Sequence, residues 1–365
     1  MSMSRRHVLA ATALASWSLQ ASADPASSPR RPMMRPSIRP ATPHDLPGIA
    51  ALLIQDAQER RSLDPLLWRL AADAPARIET AVGAALNSSV ASARELWRVA
   101  EHAGRIVGVT HAMTLPVPPI YDGAAGSPGL LLDECFTAAD APSGTAEALL
   151  VATEAALKMA GATRLIASCP AAGPLRPLYE RHGYEPVTLY MAKHRFSPGA
   201  LPLSVRPASA EDVPGIVMLS AEHRKMLAKV NPRFWHIHPQ ADNRFEAWMR
   251  HSLTLKDRDM RVAGVPGEVH GYVIAQPMSP LLVPTAHEIT AIGVIDDFYD
   301  RDFANVSAVS NGGSSGESLL AAAEGAFAQR GVDSAVIVCP AAWPSKIAIL
   351  ERRGYRTAKL WMLRR

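Results

Sequence analysis

Two acidic pairs, Asp133-Glu134 and Asp296-Asp297, stand at the ends of apolar runs. A carboxylate held in such a place can take a proton from a nucleophile. Side chains alternate along a strand, so the two members of each pair point to opposite faces and at most one faces a cleft. Small residues gather a few positions further on, as Ala141-Pro142-Ser143-Gly144-Thr145-Ala146 and as Asn311-Gly312-Gly313-Ser314-Ser315-Gly316, each leading into a helical pattern. Small residues let backbone N–H groups close around an anion, and the helix N-terminus adds a favourable dipole. Taken alone, such a cluster is also an ordinary loop with an N-cap. The histidines His236, His238 and His251 are poor metal ligands as a set: a spacing of two shares a face only in a strand, this region reads as helical or irregular, and no cysteine is near. Cys135, Cys169 and Cys339 are odd in number, lack CxxC spacing and lie in or beside apolar strand-like runs, which reads as buried thiols.

The elements that position these residues come twice. Ile38-Arg39-Pro40 through Pro47-Gly48-Ile49 matches Val205-Arg206-Pro207 through Pro214-Gly215-Ile216, a short strand, a turn and a helix start with Thr42 and Ser209 as N-caps. Gly108 matches Gly271, and Asp133-Glu134 matches Asp296-Asp297. Pro-rich connections before each acidic pair join strands expected to pair antiparallel. Further on, Leu149-Leu150 matches Leu319-Leu320 and Cys169-Pro170-Ala171-Ala172 matches Cys339-Pro340-Ala341-Ala342, so the second copy carries seven extra residues just after its acidic strand. Thr163 to Cys169 reads as a strand buried on both faces. Leu178-Tyr179-Glu180-Arg181-His182-Gly183-Tyr184 returns as Leu350-Glu351-Arg352-Arg353-Gly354-Tyr355, a helix stopped by glycine before an aromatic that opens a strand. The fold class is therefore α/β in the α+β sense, each copy a mixed and mostly antiparallel sheet flanked by helices. The expected domains are residues 38–196 and 204–365, joined by a linker at 197–203.

The chain has 365 residues, enough for two cores. Its formal charge of +4 resides in residues 1–37, where five arginines oppose Asp24. The remainder is formally neutral and has no basic block interleaved with aromatics, which argues against nucleic acid as a partner. Ser4-Arg5-Arg6 followed by an apolar run to Leu19 and Ala21-Ser22-Ala23 is similar to a twin-arginine export signal followed by a linker to residue 37. The other reading is a start at Met33 or Met34 and a cytoplasmic protein. The leader run is too short for a membrane span, and no other long apolar run follows it.

Taken together, the order of elements, the acidic strand, the small-residue loop before a helix and the Leu-Tyr-Glu-Arg-His-Gly-Tyr stretch resemble the GCN5-related N-acetyltransferase family, once per copy. The resemblance implies tandem acyl-CoA N-acyltransferase-like domains using acetyl-CoA as donor, without a metal, on a small-molecule or peptide amine. It implies that Ser143, Gly144, Thr145 and Ala146, with Gly312, Gly313, Ser314, Ser315 and Gly316 in the second copy, cradle the pyrophosphate, and that backbone groups at Phe136 and Thr137 pair with the pantetheine arm. Both loops depart from the family pattern: the first lacks the leading Gln or Arg, and the second has Ser314 at the middle glycine. Tyr179 stands where the family places the acid that protonates the departing thiolate, and a phenol suits that task because its pKa lies close to a thiol's. Leu350 holds the same position in the second copy, so the chemistry is expected in the first. Glu134 is the expected base, with Asp297 its counterpart. The alternative is a non-catalytic ligand-binding or regulatory protein in which both cradles have decayed. Neither the acceptor nor the oligomeric state is legible in the sequence.

Overall fold

Each repeat opens with the same local solution. Thr42 and Ser209 sit in extended backbone, and each forms a capping box with the aspartate three residues on, Asp45 or Asp212. An arginine from the preceding strand clamps that aspartate with two bonds of 2.7 Å, Arg39 on Asp45 and Arg206 on Asp212. Pro47 and Pro214 then start the first helix, where a missing N–H costs nothing.

A computed structural model describes residues 35–87, 95–122, 126–199, 201–308 and 314–365. The first repeat runs β1 (Ser37–Pro40), α1 (Leu46–Leu63), α2 (Ala74–Asn87), β2 (Glu95–His102), β3 (Arg105–Thr114), β4 (Pro128–Leu131), β5 (Phe136–Thr137), α3 (Thr145–Met159), β6 (Arg164–Pro170), α4 (Leu175–Arg181) and β7 (Tyr184–His194). The second runs β8 (Val205–Pro207), α5 (Val213–Val230), α6 (Ala241–Ser252), β9 (Asp259–Val265), β10 (Glu268–Pro277), β11 (Ile292–Asp300), α7 (Ser315–Gln329), β12 (Ser334–Pro340), α8 (Pro344–Arg352) and β13 (Arg356–Arg364). The Pro-rich connections do join antiparallel neighbours, β3 with β4 and β10 with β11. After its first residue, β6 is buried throughout.

Among the described residues thirteen strands form one sheet, in the order β1-β2-β3-β4-β6-β13-β7-β12-β11-β10-β9-β8, with β5 against β3. Among these pairings only β4 with β6 and β11 with β12 are parallel. The centre is an exchange. The last strand of the second repeat, β13, lies between β6 and β7, and the last strand of the first, β7, lies between β13 and β12. Each repeat's sheet is thus completed by the other's final strand. The core follows: Leu130, Ile166, Val187 and Met191 share a buried cluster with Ile295, Ile337 and Leu350. Burial of each such side chain contributes roughly 1.5–3 kcal/mol, so the shared cluster ties the stability of the two repeats together. Among the described residues no helix is long and apolar enough to cross a membrane.

Candidate functional site

In the first repeat β4 runs beside β6 from Pro128 to Leu131, then leaves it, and the chain returns to β3 as β5. This parting of parallel neighbours opens a wedge at the N-terminus of α3. Gly144 caps that helix with φ of 83°, a left-handed conformation that disfavours a side chain, and a Cβ there would meet nothing within 4 Å beyond its chain neighbours. Ser143 and Gly144 are exposed, while Thr145 is buried and its hydroxyl donates to Pro142 O at 2.5 Å. Phe136, Thr137, Ala146 and Tyr179 line a single cavity of about 10 Å³ in the wedge. Among the described residues β5 pairs only with β3, leaving its other edge without a strand. Burial pushes the Tyr179 phenol well above its ordinary pKa, so it stays protonated and, as placed, lacks the match to a thiol expected of it; its ring leans on Tyr184 at 5.5 Å.

The acidic pair of this repeat is committed elsewhere. Asp133 accepts from Ser168 Oγ at 3.0 Å and Lys359 Nζ at 2.6 Å, and Arg60 bonds both its carboxylate and its carbonyl. Glu134 meets His111 Nδ1 at 3.1 Å and accepts from the backbone N–H and hydroxyl of Thr285 at 3.1 and 3.2 Å. Burial works to raise its pKa, but these bonds prevail and hold the carboxyl at about 2. The expectation that Glu134 serves as base is corrected to this extent: as placed, it is too weak a base near neutrality and both its oxygens are engaged. Thr285 belongs to a segment of the second repeat that docks on the first through Ala71 N to Ala286 O at 3.0 Å, Glu288 N to Arg69 O at 2.8 Å and the Arg77–Glu288 ion pair.

The second repeat repeats the wedge but fills it. β11 and β12 pair from Ile292 to Ile295 and then part. Ser314 caps α7 by accepting from Glu317 N at 3.3 Å. Asp302 accepts from Ser315 N at 3.0 Å and Ser315 Oγ at 2.9 Å, and Ser315 Oγ also reaches Asp300 at 2.7 Å. The seat expected for a pyrophosphate therefore holds the protein's own carboxylate, and Ser314 and Ser315 are spent within it. Gly316 lies under Phe303, whose ring would come within 3.0 Å of a Cβ there. Gly312 and Gly313 lie outside the described residues. Trp343, at the position of Gly173 in the first repeat, is fully buried and donates to Phe303 O at 3.0 Å. Lys346 Nζ occupies Phe298 O at 2.6 Å, and Leu350 is buried where the first repeat has Tyr179.

No protein-family model and no curated protein matches this sequence. Among solved structures, a GCN5-related N-acetyltransferase from Sphaerobacter thermophilus matches with a TM-score of 0.53 at 17% identity, covering 91% of this chain and 95% of that one. The GCN5-related glucosamine N-acetyltransferase region of a fungal multi-domain GH3 β-N-acetylglucosaminidase matches with a TM-score of 0.50 at 13% identity, over 90% of this chain and 38% of that one. A tandem GNAT protein from the clavulanic acid biosynthesis pathway aligns over 90% of this chain and 97% of that one, at 15% identity and a TM-score of 0.48. The chain has the GCN5-related N-acetyltransferase fold.

Within that fold the second repeat holds a cavity of about 1020 Å³ between α5, α6 and the sheet, walled also by the Leu115–Asp122 loop of the first repeat. That loop is anchored across the repeats by Asp122 N to His236 O at 2.7 Å and Arg244 Nη1 to Pro119 O at 2.9 Å. Asp296 is open to the cavity, and burial together with the charge of Asp297 raises its pKa to about 6. Asp297 is fixed by His223 at 3.2 Å and Tyr272 at 2.8 Å, and against its burial these bonds hold its pKa below the ordinary value. His223 is lowered by burial and by the charge of Lys346.

Sequence reasoning missed Lys346, His223 and Trp343. Only Trp343 carried a signal, as the bulky residue opposite Gly173 in the repeat alignment. Arg244, Phe245 and Trp248 of α6 wall the cavity, whereas Arg60 and Trp68 of the first repeat are packed inside. Among the described residues no group of three or more His, Cys, Asp or Glu could hold a metal ion. His194 joins Asp64 and Ser334 at 2.9 Å each, but Ser334 is fully buried, so this resembles a nucleophilic triad in bonding only and serves as a strut.

Proposed function

We propose that the protein is an acyl-CoA-dependent N-acyltransferase, with acetyl-CoA as donor, and that the first repeat binds the donor. The observation that carries this is the contrast between the two helix termini: α3 is open at Ser143 and Gly144, whereas α7 is closed by Asp302, Phe303 and Trp343. Backbone N–H groups from Ser143 to Ala146 would receive the pyrophosphate, and the free edge of Phe136 and Thr137 would pair with the pantetheine arm. A cavity of about 10 Å³ does not admit that arm, so donor binding on this reading requires the wedge between α4 and β5 to widen.

In the reaction the neutral amine nitrogen attacks the thioester carbonyl, the C–N bond forms, the C–S bond breaks, the Tyr179 hydroxyl proton passes to the thiolate sulfur, and the proton lost by the acylated nitrogen returns by way of solvent to the Tyr179 phenolate. The substrate ammonium gives its first proton to solvent, since Glu134, held by His111 and Thr285, is too weak a base to take it. The acceptor class is an amine.

Thermal melting of the full chain with and without millimolar acetyl-CoA tests the donor site. A rise in melting temperature is expected, and Ser143→Asp, which sets a carboxylate at the α3 terminus, should abolish it; no rise in wild type would sink the reading in favour of a non-catalytic binding protein. Tyr179→Phe should lower turnover of a responsive amine by about a hundredfold or more while leaving acetyl-CoA affinity intact. The donor is a cytoplasmic metabolite, so this reading goes with a start at Met33 or Met34; sequencing the native N-terminus distinguishes it from cleavage before Asp24.

A further inference from the structure

We propose that Ser279–Thr285 of the second repeat is a lid: it fills the space of the first repeat between Glu134 and the α1–α2 connection, and it opens towards the cavity of the second repeat. Two matching seams frame it. The connection between β10 and β11 bridges the α1–α2 connection at Leu70 and His287, with Ala71 N to Ala286 O at 3.0 Å and Glu288 N to Arg69 O at 2.8 Å on either side. The connection between β3 and β4 bridges the α5–α6 connection at Ile237 and Tyr121, with His238 N to Ile120 O at 3.1 Å and Asp122 N to His236 O at 2.7 Å. Leu70 and Ile237 hold the same place in the two repeats, so the seams are equivalent.

What lies inside the seams differs. In the second repeat the stretch Leu115–Ile120 walls a cavity of about 1020 Å³. In the first repeat the stretch Met278–Ala286 is longer and turns inward, burying Val283 in a cluster with Leu67, Trp68 and Tyr190, and Ala286 in one with Ala71, Ala74 and Ile78. Its end meets the acid: Thr285 sets its backbone N–H and its hydroxyl on Glu134 Oε1 at 3.1 and 3.2 Å. These are the donors that an amine brings, so the lid satisfies Glu134 in the substrate's place; this step rests on the acyltransferase reading of the first repeat.

The lid is lightly held. Between Ser279 and Thr285 only Val283 and Pro284 are buried, and the further tie is Leu282 O, which accepts from Lys359 Nζ at 2.7 Å. Segments with few buried apolar contacts open at the lowest free energy, and lids are drawn from them. Ser279, Leu281 and Leu282 already wall the cavity of the second repeat, so the segment has room to swing into while the seam at Leu70 and His287 stays paired. The open cavity behind the intact seam of the second repeat shows that such pairing does not require the space inside it to be filled.

Residue-resolved hydrogen exchange on the full chain, without ligand, tests the lid. The Thr285 amide should exchange at least about tenfold faster than the seam amides of Ala71 and Glu288. Val283→Ser withdraws the apolar pin and should quicken Thr285 by roughly a further ten- to a hundredfold, the worth of one buried valine, and leave Ala71 and Glu288 unchanged. Exchange of Thr285 as slow as the seam's, no acceleration in Val283→Ser, or acceleration of all three amides together would each overturn the lid. With a responsive amine, Val283→Ser should lower KM severalfold and leave the acetyl-CoA melting rise as in wild type, because a larger share of the protein is open to the amine; an unchanged KM would overturn the lid's hold on the acceptor. Absence of the melting rise in wild type would sink the acyltransferase reading, and the exchange result would still decide the lid.

Discussion

Lys359→Met would test the exchange of strands at the centre of the sheet. Lys359 belongs to β13 of the second repeat, yet its Nζ lies 2.6 Å from Asp133 of the first and 2.7 Å from Leu282 O, with side-chain exposure of 4% for both Lys359 and Asp133. Methionine keeps most of the stem's packing and removes the charge and both hydrogen bonds. Removing one partner of a buried ion pair costs about 3–5 kcal/mol. Asp133 keeps Arg60 at 3.4 Å and Ser168 at 3.0 Å, so the lower end, about 3 kcal/mol, is expected. For a unit of this size that corresponds to a fall in melting temperature of roughly 4 °C. The assay is urea denaturation followed by far-ultraviolet circular dichroism and tryptophan fluorescence, on Lys359→Met, Asp133→Asn and the double variant. Both probes should report one transition, displaced together, and the double variant should be less destabilised than the sum of the singles by about 2 kcal/mol. A loss below about 1 kcal/mol, or two transitions of which only one shifts, would refute the reasoning that the exchanged strand ties the repeats together.

Two further perturbations probe the wedges. Asp302→Ala should cost about 1 kcal/mol, the usual net worth of a hydrogen bond, and should let inorganic pyrophosphate slow amide exchange at the start of α7; equal protection in wild type would show that the seat was never closed. The depressed Glu134 carboxyl contributes stability that is fully present above its ordinary value of 4.5 and is lost as the pH falls through about 2. Stability should therefore drop by about 3 kcal/mol across that window, and Glu134→Gln should flatten that part of the profile; an unchanged slope in the variant would assign the loss to other groups.

How much of this was legible beforehand differs by element. The capping boxes at Thr42 and Ser209, the antiparallel pairing across the Pro-rich connections and the doubly buried β6 are local, set by residues within a few positions of one another, and sequence patterning suffices for them. The two aspartates of the acidic pairs illustrate the limit. Asp133 and Asp296 occupy matching positions, yet Asp133 is sealed by Lys359, Ser168 and Arg60 while Asp296 stands open in a cavity. None of the three partners of Asp133 is adjacent to it in the chain, so no local pattern distinguishes the two.

The sequence by itself determined that one fold occurs twice, where each acidic pair and small-residue loop lies, and that the copies differ by Tyr179 against Leu350 and by seven extra residues after the second acidic strand. These are facts of composition and spacing, and repetition makes them visible. Only the tertiary structure decided what the differences do. The extra residues turn back so that Asp302 and Phe303 close α7, Trp343 fills the gap beside them, and the final strands change places so that Lys359 neutralises a carboxylate more than two hundred residues away. Such contacts depend on where the chain returns after long excursions, and that is fixed by the packing of the whole sheet rather than by any stretch of it.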